Sequence, residues 1–339
     1  MNHTTMNCSS QMVMEGYETW EIILFALIGA IGTLNNGFTI LVIMSSKAMM
    51  KKVTNKMIVN QTIIDLVASL FFLANAATAQ FSVLTPGVKG ELYCHLWGTN
   101  YFMWAVLNAL SFNLMALTIE RFYGVIKPVK YGKFTPLIAK IVMVSVWVGG
   151  LIITAPHIFA AAHCTDPEDG STKCVPYPEK PGNWLILNGL VNYCAVFLAP
   201  VLSMFVCYSQ MICFFRKKSP VDKEDNSDAD KQRLLKMRRL QLNIFKTFII
   251  VSVAFIVCWA PSQTLILLFN FGALNFTLDS PMMKWSYYLT YANCCMNPFI
   301  YTFQYYDFQV ALRKLCDKYF NKDKEIDSNF RAESSHTTN

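Results

Sequence analysis

Charge is scarce in this chain of 339 residues: Asp, Glu, Lys and Arg together make up 15% of it, against 54% hydrophobic residues. A soluble domain carries about 25% charged residues to hydrate its surface. A soluble enzyme, a nucleic-acid binder and a disordered scaffold are thereby excluded, and no nucleic-acid partner is expected. The first 19 residues contain neither Lys nor Arg and no apolar h-region. No cleavable signal peptide is expected, and the first apolar segment serves as the insertion signal. No internal repeat stands out, no Cys or His set has metal-ligand spacing, and no nucleophile–base pair is recognisable. An enzyme is not expected, and no cofactor or structural metal is implied.

What the sequence has instead is long apolar runs. Positions 22–44 hold no charged residue across 23 places, and about 20 apolar residues cross the ~30 Å hydrocarbon core of a bilayer. Run length gives seven such segments, at 20–44, 57–81, 93–125, 137–161, 184–215, 240–271 and 283–305. The expected fold is an all-α membrane protein, a seven-transmembrane helix bundle over 20–306. Its net charge of +7 is then a matter of membrane side. The N-terminal tail and outer links hold four of the 29 Lys and Arg, namely Lys89, Lys173, Lys180 and Lys284. Lys47, Lys51, Lys52, Lys127, Lys130, Arg216, Lys236 and Arg238 flank the opposite side, which the positive-inside rule makes cytoplasmic. Residues 1–19 are therefore an extracellular tail, and 321–339 a cytoplasmic, disordered one. The sequons at Asn2, Asn7 and Asn275 fall outside and are expected glycosylation sites. The sequon at Asn60 lies inside span two.

Six of the 11 cysteines (Cys194, Cys207, Cys213, Cys258, Cys294, Cys295) lie within spans, where they read as small apolar packing groups. Cys8, Cys94, Cys164 and Cys174 fall on the oxidising side. Sequence does not fix their connectivity. Cys94 with Cys174 would pin the long outer loop over the bundle and leave Cys8 for Cys164.

Polar groups inside spans are costly and mark function by default. Asp65 is the one acid deep within a span, and Asn36, Asn293 and Asn297 are polar groups available to it. They would either hold a small cation or form a helix–helix hydrogen-bond network. Glu120-Arg121-Phe122 ends span three, as an interface marker with a snorkelling Arg121 or as a switch that releases Arg121 to a partner. Pro261 and Pro298 interrupt spans six and seven beside Trp259 and Asn297. Proline is common in membrane helices, but hinges beside polar groups suit a bundle that changes shape.

These motifs form an ordered set. Glu120-Arg121-Phe122 resembles the Asp/Glu-Arg-Tyr motif of rhodopsin-like (class A) G-protein-coupled receptors. Phe255-x-x-Cys258-Trp259-Ala260-Pro261 is similar to their span-six motif, and Asn297-Pro298-Phe299-Ile300-Tyr301 to their span-seven motif. Asn36, Asn60 with Asp65, Trp147, Pro200 and Tyr208 fall where that family keeps its other signature residues. The resemblance covers about 20–320, every span in order.

The resemblance implies a plasma-membrane receptor that takes an extracellular ligand and activates a heterotrimeric G protein. Asp65, Asn36, Asn293 and Asn297 would be an allosteric sodium pocket, although Leu110 stands where many relatives have Ser. Trp259 would be the toggle beneath the ligand, with Phe255 below it. Span six would swing about Pro261, and Arg121, Tyr208 and Tyr301 would rearrange to receive the C-terminal helix of a G-protein α subunit. Gln241 replaces an acid that in some relatives pairs with the span-three Arg, so appreciable ligand-independent signalling is expected. Cys94 precedes Arg121 by 27 residues, about two more than in most relatives, so a longer span three or a bulge is implied. The Cys94–Cys174 bridge is still expected. Phe308, Leu312, Leu315, Cys316 and Tyr319 share one face over 307–320, which suits an amphipathic helix on the inner leaflet. Cys316 is a palmitoylation candidate, and the Ser/Thr-bearing tail would recruit receptor kinases and arrestin.

Met103 falls where amine receptors keep an Asp, and Tyr291 where opsins keep a Lys, so neither ligand class is implied. Gln80, Asn100, Met103, Trp104, Asn108, His157, Asn188, Asn192, Trp259, Gln263, Trp285, Tyr288 and Tyr291 form the candidate ligand-binding set. Outer acids such as Glu91 and Asp166 would attract a basic peptide, and a neuropeptide is the expected ligand. A non-peptide ligand (lipid, small metabolite or amine) is the alternative. A seven-span transporter is less consistent with one buried acid and no repeat.

Overall fold

A bilayer offers no water to backbone amides, so each apolar run must close its hydrogen bonds within itself, as a helix does. The computed structural model describes residues 17–78, 88–159, 161–165, 172–176, 183–216, 228–273 and 280–318, and every expected span is helical there. Span one is Thr19–Ser45 and span two Val53–Thr78. Span three runs over Val88–Ile126. Span four is Pro136–Thr154, continued by a tighter turn at Ala155–Phe159. Span five comprises Asn183–Asn192, Tyr193–Leu198 and Ala199–Arg216. Span six is Asp228–Asn270 and span seven Pro281–Gln304. Thr135 caps span four by accepting from the Ile138 N–H at 3.3 Å, and Pro136 and Pro281 occupy first-turn positions. A first-turn proline costs nothing, because its missing N–H would have been unpaired there.

Among the described residues six helices are long and apolar enough to cross a membrane by length and composition. Span seven has the length, 24 residues, but carries Lys284, Asn293, Asn297 and Gln304. Asn293 and Asn297 are buried, so these polar side chains turn inward. Span six begins at Asp228, well before the expected 240, because its first turns are charged and a hydropathy reading omits them.

Two spans depart from regular helix. The two-residue excess between Cys94 and Arg121 is absorbed by a wide turn at Cys94–Gly98 followed by a break, where Asn100 adopts φ 53°. Such turns admit an extra residue and relieve register, and Asn tolerates the left-handed region better than most residues. Span five contains a second wide turn at Tyr193–Leu198, for which the sequence carries no recognisable signal.

The bundle holds because small residues let backbones approach. Span four buries Ala139, Val146, Gly150 and Thr154, a narrow stripe along one face. Leu137, Ile141, Val144, Val148 and Ile152 remain exposed, the surface a bilayer would cover. A Cβ on Gly150 would lie 2.3 Å from the Ala105 carbonyl oxygen and 2.9 Å from the Ala109 nitrogen.

Outside the bundle the all-α expectation has one departure. Strands β1 (Ala161–Thr165) and β2 (Thr172–Pro176) form an antiparallel hairpin, beyond the apolar spans where helix is not enforced. Its Cys174 is bonded to Cys94, as the resemblance implied. Cys8 lies outside the described residues, and the Cys8–Cys164 pairing with it. Tyr305 ends span seven, and a further helix occupies 306–318. Phe308 and Ala311 are buried, with Leu312 and Leu315 packed against the core, while Cys316 is exposed. Lys52 pairs with Asp307 at 2.5 Å, tying this helix to the link between spans one and two.

Gly150→Ala is expected to lower the thermal midpoint of the purified protein, by about 1–3 kcal/mol of overpacking. At Gly149 a Cβ meets only the Phe112 ring at 3.3 Å, and Gly149→Ala is expected to cost much less. Equal melting of the two variants would contradict this account of the span three–four contact.

Candidate functional site

At the end of the bundle where span three leads into the link to span four, a carboxylate sits where water cannot solvate it. Glu120 is 4% exposed. Its Oε1 accepts from Thr54 Oγ1 of span two at 2.8 Å and from the Tyr131 hydroxyl at 2.5 Å. Arg121 donates to both carboxylate oxygens, with Nε at 2.5 Å from Oε2. Tyr131 belongs to the short helix Pro128–Tyr131 in the link between spans three and four. Burial first, and then the Glu120 carboxylate, push its phenol above the usual tyrosine range, which keeps it a donor. Three elements thus hold the acid that holds Arg121.

Arg121 also borders a cavity of about 460 Å³ lined by Thr54, Tyr208, Met211, Gln241, Phe245 and others. Among the described residues Glu120 is the acid paired with Arg121. Gln241 is exposed on the far wall. Tyr208 links three spans, its hydroxyl lying 3.2 Å from Thr118 Oγ1 and 2.8 Å from Ser252 Oγ, and donating within 3.2 Å of the Phe248 carbonyl. Phe122 is partly buried in the core, with the Lys127 ammonium 5.9 Å from its ring. Tyr301 is buried and packs edge-on to Tyr305 at 6.3 Å.

At mid-depth Asp65 is fully buried. Its Oδ2 accepts from Asn297 Nδ2 at 2.8 Å, while Oδ1 has no hydrogen-bond partner. Asn36 donates to the Gly32 and Cys294 carbonyls, both at 2.9 Å, and its Oδ1 is likewise unpartnered. A buried acceptor without a donor is costly. Asn36 and Asp65 meet span seven one turn apart, through Asn36 Nδ2 at Cys294 and Asp65 Oδ2 at Asn297, and each keeps an unpartnered oxygen, the donor type a small hard cation takes. Asn293 is buried, and Leu110 contributes no ligand atom. A separate amide network joins spans two, three and four: Trp147 donates to Asn60 at 3.1 Å, Asn60 to Asn113 at 2.9 Å and Asn113 to Gln61 at 2.7 Å. Above them Trp259 is fully buried, its ring 5.1 Å from that of Phe255 and its indole N–H without a partner.

The outer half is aromatic. Tyr291 lies among Trp104, Phe72, Phe25, Tyr287 and Tyr288, with ring centroids 4.9 to 6.5 Å away. Trp285 stacks on Trp20 at 5.4 Å and is exposed. Met103 is buried, with Asn75 Nδ2 3.9 Å from its sulfur. Asn100 donates to the Tyr17 hydroxyl at 3.2 Å. Other candidates are engaged within the protein: Asn108 donates to Thr154 at 2.9 Å, and Asn192 to the Asn188 carbonyl at 3.1 Å. Gln263 is buried and His157 partly so. Gln80, Asn2, Asn7 and Asn275 lie outside the described residues.

Sequence reasoning missed Glu21. It is 3% exposed and accepts from Lys284 at 3.1 Å, from the Tyr288 hydroxyl at 3.2 Å and from the Glu18 N–H at 2.8 Å. An acid in the first turn of a span reads as a boundary residue. Only packing against span seven, more than 260 positions away, buries it.

Comparisons agree with this geometry. Residues 35–301 match the family model for the 7 transmembrane receptor (rhodopsin family). The chain is similar to galanin receptor 2b of Danio rerio, 26% identical with 86% of this chain and 74% of the relative covered. It is 27% identical to somatostatin receptor type 1 of Rattus norvegicus, over 86% of this chain and 70% of that one. The KiSS-1 receptor of Homo sapiens is 25% identical, over 88% and 75%.

Hydrogen bonds to a charged group contribute about 1.5–3 kcal/mol each. Thr54→Val and Tyr131→Phe are each expected to lower the melting temperature of the purified protein, because each removes a donor from the buried Glu120 carboxylate. Unchanged melting in both variants would remove Thr54 and Tyr131 from the support of the Glu120–Arg121 pair.

Proposed function

The chain belongs to the rhodopsin family of seven-transmembrane receptors, and on that premise we propose that it binds an extracellular neuropeptide and activates a heterotrimeric G protein. The observation that carries this reading is the Glu120–Arg121 pair at the wall of a cytoplasmic cavity of about 460 Å³, whose far wall is span six. Relatives are receptors for peptides. The outer half supports the same ligand class by offering the exposed Trp285 ring and the exposed Glu18 carboxylate.

A ligand pressing on the outer aromatic layer acts on Tyr291 and, below it, on Trp259 and Phe255. Span six lacks one backbone donor at Pro261 and bends there. Outward movement of its cytoplasmic half takes Phe248 and Ser252 away from Tyr208, and the cavity widens. Arg121 leaves Glu120 and, with Tyr208 and Tyr301, meets the C-terminal helix of the G-protein α subunit. In this reading the N-terminus is extracellular and the C-terminus cytoplasmic at the plasma membrane. Cys316, exposed on the surface helix, accepts palmitate, and the Ser/Thr-bearing tail is phosphorylated by receptor kinases and recruits arrestin. Asp65 and Asn36 would hold a sodium ion, with Asn297 orienting Asp65 and Asn293 in the same set; bound there it would supply positive charge to the two unpartnered oxygens and favour the resting arrangement.

In cells, a panel of G proteins and pooled neuropeptides should give a peptide-dependent signal that Arg121→Ala abolishes. A peptide signal that survives Arg121→Ala would overturn the role given to Arg121. Gln241 offers Arg121 no charge, so Gln241→Glu should reduce ligand-independent signalling several-fold, and a rise would contradict the proposed lock. The purified receptor should melt higher in sodium chloride than in N-methylglucamine chloride, since an ion bound to the folded state stabilises it. Asp65→Asn should erase that difference. An equal sodium effect in the variant would exclude Asp65 as the ion's ligand.

A further inference from the structure

Pro261 lies inside the continuous helix of span six, and two carbonyls beside it are bonded by hydroxyls, one from span seven and one from Ser262. The proline supplies no N–H to the Val257 carbonyl, and its ring crowds the preceding turn. The carbonyls just on its cytoplasmic side belong to Cys258 and Trp259. Thr290 Oγ1 of span seven lies 3.1 Å from the Cys258 oxygen, and Ser262 Oγ lies 3.1 Å from the Trp259 oxygen. The two hydroxyls are 2.7 Å apart, and both residues are fully buried. In a bilayer, backbone groups freed by proline are re-satisfied by Ser and Thr hydroxyls and by neighbouring helices.

Each hydroxyl has one proton and can accept as well. If Ser262 donates to Thr290, Thr290 is free to donate to Cys258 or to the Ser286 carbonyl of its own helix, both at 3.1 Å. If Thr290 donates to Ser262, Ser262 donates to Trp259. Both arrangements satisfy the pair and tie spans six and seven at the hinge. The Trp259 side chain has no hydrogen bond of its own. Trp259 is fully buried against Phe255 and its other neighbours, and in the second arrangement the Ser262 hydroxyl also holds its backbone carbonyl.

We propose that Ser262 and Thr290 form a two-hydroxyl latch that positions Trp259 and the Pro261 hinge in the resting receptor, and that activation requires it to open. The latch belongs to the resting state because Arg121 is still paired with Glu120 in the same structure. The proposal rests on the receptor reading above and adds to it two positioning residues that no motif contains.

The test compares wild type, Thr290→Val, Ser262→Ala, the double variant and Thr290→Ser. Ligand-independent nucleotide exchange on G proteins is measured in membranes and normalised to surface receptor. Deuterium uptake of 255–265 is followed on purified receptor in nanodiscs. Loss of one buried hydroxyl bond shifts an equilibrium about fivefold, so Thr290→Val and Ser262→Ala should each raise basal exchange about fivefold and increase uptake. The double variant should go no further than either single one, and Thr290→Ser should return both readouts to wild type. Basal exchange in Thr290→Val equal to wild type, additive single effects, or failure of Thr290→Ser to rescue would each overturn the latch. If no G protein responds to any variant, the coupling reading fails. The latch is then judged on uptake alone: a rise reversed by Thr290→Ser supports it, and an unchanged value overturns it.

Discussion

A polar group placed in hydrocarbon must find its partner inside the protein, and the arrangement of this receptor follows from that constraint. Backbone amides meet it by forming helices. Side chains meet it by turning inward, and several of the inward groups meet span seven. Asn36 and Asp65 reach span seven from spans one and two. Ser262 meets Thr290, and Lys284 and Tyr288 meet Glu21. Span seven, which buries Thr290, Asn293 and Asn297, is therefore one that several neighbours are tied to. These ties are polar and few, so they can exchange partners in a way that apolar packing cannot.

The bundle has a different character at each depth. At the outer end, aromatic rings pack on one another around Tyr291 and give a stiff layer. At mid-depth, unpartnered acceptors on Asp65 and Asn36 sit in a fully buried site. At the opposite end, a buried carboxylate collects donors from Thr54, Tyr131 and Arg121, next to a cavity of about 460 Å³. Removing a donor there leaves a charge uncompensated, which is costlier than breaking a surface pair. The Thr54 and Tyr131 bonds to Glu120 involve no residue of span six, whereas the Tyr208 hydroxyl meets span six at Phe248 and Ser252.

Much of this was legible in the sequence, because a bilayer leaves an apolar run of about 20 residues few alternatives. The seven spans, the placement of Asp65 with Asn297, the Glu120–Arg121 pair and the helix after Tyr305 all follow from local pattern and an ordered set of motifs. The hairpin, the wide turn in span five and the early start of span six do not, since each lies where hydropathy is silent. Glu21, Tyr131 and Thr54 escaped for another reason. Each is ordinary in its own segment and acquires a role only through a partner from a different element: Lys284 for Glu21, and Glu120 for the other two. Ser262 and Thr290 are of the same kind, two common hydroxyls whose meaning comes from the proline that follows their acceptors.

The central claim is that span six moves away from span three at the cytoplasmic end when a G protein binds. Its most direct test is a distance. Spin labels at Val129→Cys and Lys246→Cys, in a receptor whose exposed Cys194, Cys213 and Cys316 are replaced, are read by pulsed electron resonance with and without nucleotide-free G protein. The account predicts that the G protein adds a population at longer distance, and that Arg121→Ala suppresses it. A distribution unchanged by every G-protein class would contradict it.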